Sequence, residues 1–452
     1  MREILNDALS GCDADYVEIR LEETDSTRIA YRGREIDGIG QTSGRGGNVR
    51  AVFNGGWGFV SFNQISDLKR RAEMAVERAR LVGTETTALA NVTPRVESVN
   101  VDLPNDPSFI TLGEKKEQME HYNEIVLSVD GIQSSEIVYA DSRRRVQLAT
   151  SDGTYVDKSE AHVICRVSAQ ARDGGNIQQA GFSIGSAGDY GLVRGLDRNV
   201  REAAERAVAQ LRATSLPGGE RTVILDPVLA GVFAHEAFGH LSEADHVYEN
   251  EKLREIMVLG RRFGAPHLNI ADGAAVPGMR GSYAFDDEGT PSGKTDLIKE
   301  GVLVGRLHSR ETAGKMGESP TGNARSIGFN FPPIVRMTNT FIEPQNAKFE
   351  DLLEGVDQGV YVKNWYGGMT TMEMFTFSAG EAYMIRNGRI EEMIKPVMLS
   401  GNLFTTLENI DAIGDDLGMN QGGGCGKAGQ SPLPVATGSP HIRIRDCLVS
   451  GA

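Results

Sequence analysis

Residues 222–240 read TVILDPVLAGVFAHEAFGH, and the interpretation of the second half of the chain starts from them. The first four residues are apolar or β-branched, which is typical of a short strand. Asp226 then fits the N-cap of a helix, and Pro227 fits its first position. Nearly all the residues that follow are apolar, so the sequence predicts a buried helix that carries His235 near its end.

This helix ends in the letters HEAFGH, which place Glu236 between His235 and His240. Imidazole is a good zinc ligand, and a carboxylate can take a proton from water at the metal, so the three residues suggest a zinc hydrolase. Five residues separate the histidines by about 140° in a regular α-helix, whereas four would separate them by about 40°. We therefore expect a distorted or π-type turn at 236–240, which Gly239 would accommodate. The alternative is a pair of ordinary structural histidines.

A catalytic zinc site needs a third protein ligand and an open position for water. Cys425 is the candidate, in the stretch NQGGGCGKAGQ at 420–430. Glycines on both sides let the backbone approach an ion closely, and a metal or Lys427 would lower the pKa of the thiol. The residues alone leave two alternatives open, a buried structural thiol and a plain glycine-rich loop.

Further ionisable residues follow the helix. The favoured interpretation of Glu243, Asp245 and Glu249 is a solvated surface, and the alternative is that one of them accepts a hydrogen bond from a ligand histidine. His246 competes with Cys425 as third ligand.

The sequence SLPGGE at 215–220 interrupts the helical pattern and predicts a domain boundary. The predicted fold class is α+β. Segment 1–216 forms an antiparallel sheet with packed helices, and segment 220–452 forms a β-rich, barrel-like domain that carries the metal-binding helix. Helices are expected at 2–10, from 68 with Ser66 or Asp67 as N-cap, near 113–128, near 192–212, near 309–316 and near 349–355.

Three charged stretches are interpreted as local surface features. The first predicted strand alternates apolar residues with charged ones, which indicates a half-buried strand. Its apolar residues are Val17, Ile19 and Leu21, and its charged residues are Glu18, Arg20 and Glu22. The arginines at 143–145 suggest a solvated strand or turn, and the acidic residues at 286–288 suggest a turn.

Composition narrows the class of protein. The chain of 452 residues has a formal net charge of −15, and an acidic surface repels phosphate backbones, so we expect no nucleic-acid partner. Four scattered cysteines exclude a disulfide scaffold. Neither a secretory signal nor an apolar membrane span is visible in the sequence, so we expect a cytoplasmic protein with no membrane partner. Glycine, with 54 residues, exceeds its usual share of about 7%, which indicates many turns and bulges.

Several further motifs extend the pattern beyond the histidines. They are DDEGTP at 286–291, PTGN at 320–323, RMTNT at 336–340 and CGKAGQS at 425–431. In this combination and order, the sequence resembles the TldD/PmbA family, specifically its TldD-type metalloproteases.

The resemblance implies a two-domain zinc peptidase that acts on unfolded or flexible polypeptides. It implies that His235, His240 and Cys425 bind Zn²⁺ and that Glu236 is the general base. Because the histidine motif is complete, it also implies the catalytic partner of a heterodimer with an inert paralogue around an enclosed cavity, or a homodimer. The chain departs from the family pattern at 422–424, where three glycines replace bulkier residues.

Three functions are therefore compared. In the first, a zinc peptidase, an extended substrate adds as a strand to the edge formed by Gly422, Gly423 and Gly424. The second is a non-catalytic modulator with a structural metal, since names in this family have been attached to DNA gyrase regulation. The third is a cysteine hydrolase that uses Cys425 with a histidine such as His441.

Overall fold

The computed structural model describes residues 1–83, 87–101, 103–371 and 373–451. No helix in these ranges is both long and apolar enough to cross a membrane.

The first half of the chain forms one sheet covered by helices. Six of its strands lie in the order β3-β2-β1-β5-β6-β4, and β7 also pairs with β6. Every pairing is antiparallel except that of β4 with β6, which confirms the predicted layout. In chain order the elements are α1 (Arg2–Leu9), β1 (Tyr16–Arg32), β2 (Glu35–Phe53), β3 (Gly56–Phe62), α2 (Leu68–Val82), β4 (Val96–Val99), α3 (Leu112–Leu127), β5 (Ile132–Thr150), β6 (Tyr155–Asp173), β7 (Asn176–Ser186) and α4 (Asp197–Gln210).

The second half contains the predicted barrel. Strands β15, β8, β24, β18 and β16 pair in that order, and β16 pairs with β15 to close the ring. A second sheet has the order β11-β10-β9-β14-β23-β20. The elements are β8 (Gly219–Leu225), α5 (Pro227–Ala234), α6 (Ala244–Glu249), α7 (Glu251–Ile256), β9 (Ile270–Gly273), β10 (Lys294–Lys299), β11 (Val302–Leu303), α8 (Arg310–Met316), β12 (Ala324–Arg325), β13 (Ile334–Val335), β14 (Asn339–Ile342), α9 (Phe349–Leu353), β15 (Gln358–Thr371), β16 (Met374–Arg386), β17 (Arg389–Ile394), β18 (Val397–Asn402), α10 (Leu403–Glu408), β19 (Ile410–Ile413), β20 (Gly418–Asn420), β21 (Gly424–Lys427), β22 (Gln430–Pro434), β23 (Ala436–Ser439) and β24 (Ile442–Gly451).

Helix α5 is the buried helix that the sequence predicted. It contacts the barrel strands β8 and β15 and the strands β14, β20 and β23 of the second sheet. Leu229, Phe233 and Ala234 join the same apolar cluster as residues of the barrel. The histidine motif therefore begins where a rigid helix leaves the main core of this half. The division of the chain into 1–216 and 220–452 stays a prediction.

The other helix predictions were confirmed to within a few residues, although α4 begins only at Asp197, and Asp67 is the N-cap of α2 as predicted. Asp67 does precede α2, yet its side chain makes no capping hydrogen bond and its backbone is left-handed, with φ of 53°. An aspartate can adopt this conformation. Helix α2 is instead held by its buried alanines and Val76, which pack against the sheet.

The polar face of β1 corrects the prediction of a half-buried strand. Val17, Ile19 and Leu21 pack under the helices, as expected. The charged residues on the opposite face are also buried, however, with exposed fractions of 1% for Glu18, 0% for Arg20 and 2% for Glu22. Alternation identified the two faces correctly, but the second half of the chain covers the polar one.

Asp287 is the centre of this polar contact. Its carboxylate lies 3.6 Å from Arg20 of β1, 3.3 Å from Arg144 of β5 and 3.2 Å from Lys158 of β6. The acidic residues at 286–288 do form the expected turn, but all three are buried. Arg144 likewise differs from the solvated residue predicted for it, because it lies in the interface and donates to Glu22 at 2.8 Å.

This network predicts a large effect of removing the central charge. We expect Asp287→Asn to lower the free energy of unfolding by about 3 kcal/mol or more, because three buried cations lose their shared carboxylate. Urea unfolding measures the change. Glu202→Gln, which removes an exposed partner of Arg198, is the control and should change stability by less than about 0.5 kcal/mol. Equal losses in the two variants would contradict this account of the interface.

Candidate metal centre

The start of helix α5 is fixed by the cap that the sequence predicted. The Asp226 side chain accepts a hydrogen bond from the Leu229 amide at 2.9 Å, and Pro227 occupies the first turn. The same carboxylate oxygen also accepts from the Asn364 amide of β15 at 3.1 Å, which ties the helix to the barrel. Burial raises the pKa of Asp226 to about 6.

The irregular turn that the histidine spacing required is present. Residues His235–Gly239 form a π-helical turn, and His240 begins a short 3₁₀ turn directly after it. The rings of His235 and His240 lie with their centroids 5.2 Å apart at an angle of 79°. The extra residue in the turn therefore brings both imidazoles to the same side of the helix.

Gly239 is needed here for a different reason from the one predicted. Its φ is −56°, an ordinary right-handed helical value that any residue adopts. A Cβ at this position would lie 2.1 Å from Sδ of Met337. The absence of a side chain, and not freedom of the backbone, allows the π turn to pack against Met337.

Cys425 meets the two histidines. It lies in β21, and its Sγ is 3.6 Å from Nε2 of His240. One potential ligand atom from each of His235, His240 and Cys425 lies within 4.8 Å of the others. The donor set fits zinc, since catalytic zinc sites use imidazole and thiolate ligands. Nδ1 of His235 is buried and has no hydrogen-bond partner in the described part of the chain.

The charges in this cluster favour the thiolate. Burial alone would raise the pKa of the Cys425 thiol, but His235 and His240 hold that pKa well below its usual value. Burial would likewise lower the pKa of His240, yet Glu243 and Cys425 raise it well above its usual range. The deprotonated sulfur is the form of cysteine that binds a metal.

Glu243 is the carboxylate that contacts a histidine of the cluster, and it is buried instead of lying on a solvated surface. It is fully buried, and its Oε2 lies 3.0 Å from Nδ1 of His240. Burial would raise the pKa of Glu243, but Lys427 and His240 lower it to about 2. Of the other two candidates, Asp245 accepts from Lys427 instead and Glu249 is exposed. Glu243 therefore fixes the orientation of the His240 ring, as carboxylates behind metal ligands do.

Lys427 joins the cysteine segment to the histidine segment. Its ammonium lies 3.1 Å from Glu243 and 2.6 Å from Asp245. Glu243, Asp245 and His246 also come close enough to suggest a second cation site, but the Lys427 ammonium already pairs with both of its carboxylates. His246 is not part of the first cluster, and its Nδ1 lies 3.2 Å from the carbonyl oxygen of His240.

Glu236 borders the cluster without entering it. Its Oε2 lies 3.9 Å from Nε2 of His240, and 27% of its side chain is exposed. A partly exposed carboxylate beside the potential ligands can exchange protons with water.

The glycines before Cys425 already contact other parts of the chain, one of them in the first half. The Ser183 hydroxyl of β7 donates to the Gly422 carbonyl at 2.7 Å, and a Cβ on Gly422 would lie 2.3 Å from the Ser183 backbone. Arg280 donates to the Gly423 carbonyl. A Cβ on Gly423 would meet nothing within 4 Å, and Gly424 pairs with Pro434 in the β21–β22 hairpin.

Two residues next to this site were not among those predicted from the sequence. Met337 packs on the π turn, and Arg336 donates to the Cys425 carbonyl at 2.8 Å. Both belong to the motif RMTNT, which carried the resemblance but received no role. Neither an apolar residue nor a lone arginine indicates a metal site by its chemistry.

The comparisons with known proteins agree with this fold. Three domains of the PmbA/TldA metallopeptidase family match the chain: domain 1 at 17–80, the central domain at 105–211 and the C-terminal domain at 218–451. The chain belongs to this family, which confirms the resemblance found in the motifs.

Individual relatives extend over nearly the whole chain. A metalloprotease of Synechocystis is 49% identical over 440 residues, 97% of this chain and 95% of the relative. A zinc metalloprotease TldD homologue of Saccharolobus solfataricus is 28% identical over 97% of both chains. Among solved structures, TldE from Thermococcus kodakarensis shares the fold with a TM-score of 0.75 at 16% identity, covering 99% of both chains. A protein from Thermotoga maritima described as a modulator of a DNA gyrase has a TM-score of 0.79 at 20% identity, covering 96% of both chains.

The support of His240 by Glu243 predicts an effect on metal binding. We expect Glu243→Gln to weaken zinc binding about 10- to 100-fold, because the neutral amide no longer holds the His240 ring or pairs with Lys427. Competition with a chromophoric chelator measures the affinity. Glu249→Gln changes an exposed carboxylate on the same short stretch and is the matched control. A similar affinity in both variants would remove Glu243 from the support of the site.

The contact between Gly239 and Met337 predicts a coupled pair. We expect Gly239→Ala to lower the free energy of unfolding by about 1–3 kcal/mol, because the added methyl group overlaps the Met337 sulfur. In the double variant with Met337→Ala the methyl group has room, so the loss should be smaller than the sum of the single losses. Urea unfolding of the four proteins gives the coupling, and strictly additive losses would contradict it.

Proposed function

We propose that the chain is a zinc-dependent peptidase that cleaves unfolded or flexible polypeptides. The observation that carries the proposal is the convergence of His235, His240 and Cys425, with Glu236 at the border of the cluster. Three protein ligands leave a fourth position for water, as in catalytic zinc sites. A bound zinc ion would supply a Lewis acid that polarises the scissile carbonyl and makes water more acidic.

Glu236 is the proposed general base. Its carboxylate accepts a proton from the attacking water and then gives it to the leaving amine. Its position 3.9 Å from His240 Nε2 and its partial exposure suit this shuttle, because the group must reach both water and substrate. Glu243 cannot take this role, since it is fully buried and already engaged with His240 and Lys427.

The hairpin that carries Cys425 is the proposed substrate edge. β21 pairs with β22 on one side, so an extended peptide can add along its other side through main-chain hydrogen bonds. Such bonds recognise the backbone of the peptide and not its side chains, which favours unfolded polypeptides as substrates. Gly422, Gly423 and Gly424 stay the proposed contacts. Because the carbonyls of Gly422 and Gly423 are bound by Ser183 and Arg280, we place the main contact at Gly424.

The structure offers less support for the other two functions. The cluster of potential ligands contains three members among the described residues, whereas a structural zinc site has four protein ligands. A cysteine hydrolase that uses His441 would need that ring at the thiol, whereas the histidine beside the Cys425 sulfur is His240, at 3.6 Å. Both ring nitrogens of His441 have other partners, since Nε2 lies 2.9 Å from the Tyr361 hydroxyl and Nδ1 pairs with Asp416.

We further propose a dimer, either with an inert paralogue or with a second copy, and a place in the cytoplasm. The fold shared with TldE supports the first partner, because a TldE chain is built on the same framework. The prediction of no nucleic-acid partner rests on the net charge of −15.

Glu236→Gln separates catalysis from metal binding. We expect cleavage of an unstructured fluorogenic peptide to fall by about 10²- to 10⁴-fold, because the amide cannot accept the proton from water. Bound zinc, measured by elemental analysis, should stay at the wild-type level. Cleavage that survives in this variant would remove Glu236 from the mechanism, and wild-type cleavage that survives complete chelation would contradict the metallopeptidase.

A further inference from the structure

We propose that three buried arginines, Arg280, Arg325 and Arg336, are positioning residues that hold the Cys425 hairpin against the two histidines. The inference rests on the proposed metal site and names the residues that hold one part of it in place. The three side chains come from different parts of the second half of the chain, yet each donates to main-chain carbonyls in segment 421–434.

The hairpin needs such support because it is weak by itself. β21 and β22 form a sheet of only two strands, and two-stranded hairpins are marginally stable. Five of the eight residues at 422–429 are glycines, which lose the most conformational entropy on ordering and offer no side chains to pack. A thiol on such a segment would sample many positions, whereas a metal ligand must stay in one.

Arg336 makes the central contact. It is completely buried, and its Nη2 donates to the Cys425 carbonyl at 2.8 Å. Its Nη1 donates to the Gln430 carbonyl at 3.1 Å. One rigid guanidinium thus spans both strands and fixes the backbone of the residue that carries the thiol.

The other two arginines hold the ends of the segment. Arg280 donates to the carbonyls of Gln421 and Gly423, before the hairpin. Arg325 donates to the Pro434 carbonyl at 2.7 Å, where the hairpin ends, and to the Met337 carbonyl at 2.7 Å. The segment is therefore held before, within and after the residues that surround Cys425.

These three arginines differ from the other buried arginines in the type of group that they contact. Arg20, Arg50, Arg306 and Arg310 each lie within 4 Å of a carboxylate. The three on the hairpin have carbonyl partners, and no carboxylate among the described residues forms an ion pair with them. Burying an uncompensated guanidinium is unfavourable, and an apolar side chain of similar volume would avoid that cost. The feature that such a side chain lacks is a fixed pair of N–H donors for two carbonyls.

The test compares Arg336→Met, Arg336→Lys and a control, Arg310→Met, in the full chain. Arg310 is also buried, pairs with Asp152 and donates to the Ala90 carbonyl, far along the chain from the hairpin. We expect Arg336→Met to weaken zinc binding about 10- to 100-fold, measured by chelator competition. Arg336→Lys should restore part of the affinity, since one donor returns, and Arg310→Met should stay within about twofold of the wild type.

Cobalt substitution gives a readout that reports the thiol directly. Wild-type protein loaded with Co²⁺ should show a thiolate-to-metal charge-transfer band from Cys425, and Arg336→Met should show a weaker or shifted one. A folded Arg336→Met protein with wild-type zinc affinity and an unchanged band would overturn the inference. If that variant does not fold, Arg280→Met decides: we expect weakened zinc binding, and an unchanged affinity overturns the inference equally. A wild-type protein without the band would instead contradict the proposed metal site itself.

Discussion

The candidate site depends on one contact between distant parts of the chain, the approach of Cys425 to His240 across 185 residues of sequence. The two imidazoles come from a turn at the end of a rigid buried helix, and the thiol comes from a glycine-rich hairpin. Neither segment forms a metal site alone. The surrounding structure therefore has to hold the flexible segment against the rigid one, and much of the buried polar chemistry in this half of the chain serves that purpose.

Two sets of charged residues provide this support. Glu243 binds His240 and Lys427 together, so the orientation of a histidine ring and the position of the cysteine hairpin are fixed by the same carboxylate. In the second set, Arg336 holds the hairpin backbone. Hydrogen bonds to charged groups are stronger than neutral ones, and buried ones are hardly screened by salt, so these contacts can hold the proposed site in one arrangement.

Buried ion pairs also join the two halves of the molecule. Asp287 shares three cations from the N-terminal sheet, and Ser183 reaches the glycine stretch beside Cys425 from β7. The N-terminal half is thus more than a separate domain beside the site, because one of its strands contacts the segment proposed to receive substrate. Movement between the halves would change that segment, which links the interface to the proposed function.

The sequence by itself determined the features that depend on residues close together in the chain. The cap at Asp226, the buried helix and the π turn all follow from local spacing, and the nature of His235, Glu236 and His240 indicated the chemistry. The choice of Cys425 followed from the need for a third ligand, and its role remains a proposal.

Only the tertiary structure decided what lies opposite each residue. Alternation in β1 gave the two faces but could not show that Asp287 covers the charged one. Spacing could not separate Glu243 from Asp245 and Glu249, or show that Met337 is the reason for Gly239. Periodicity specifies which side of an element a residue occupies, whereas burial and hydrogen bonding depend on the element that packs there.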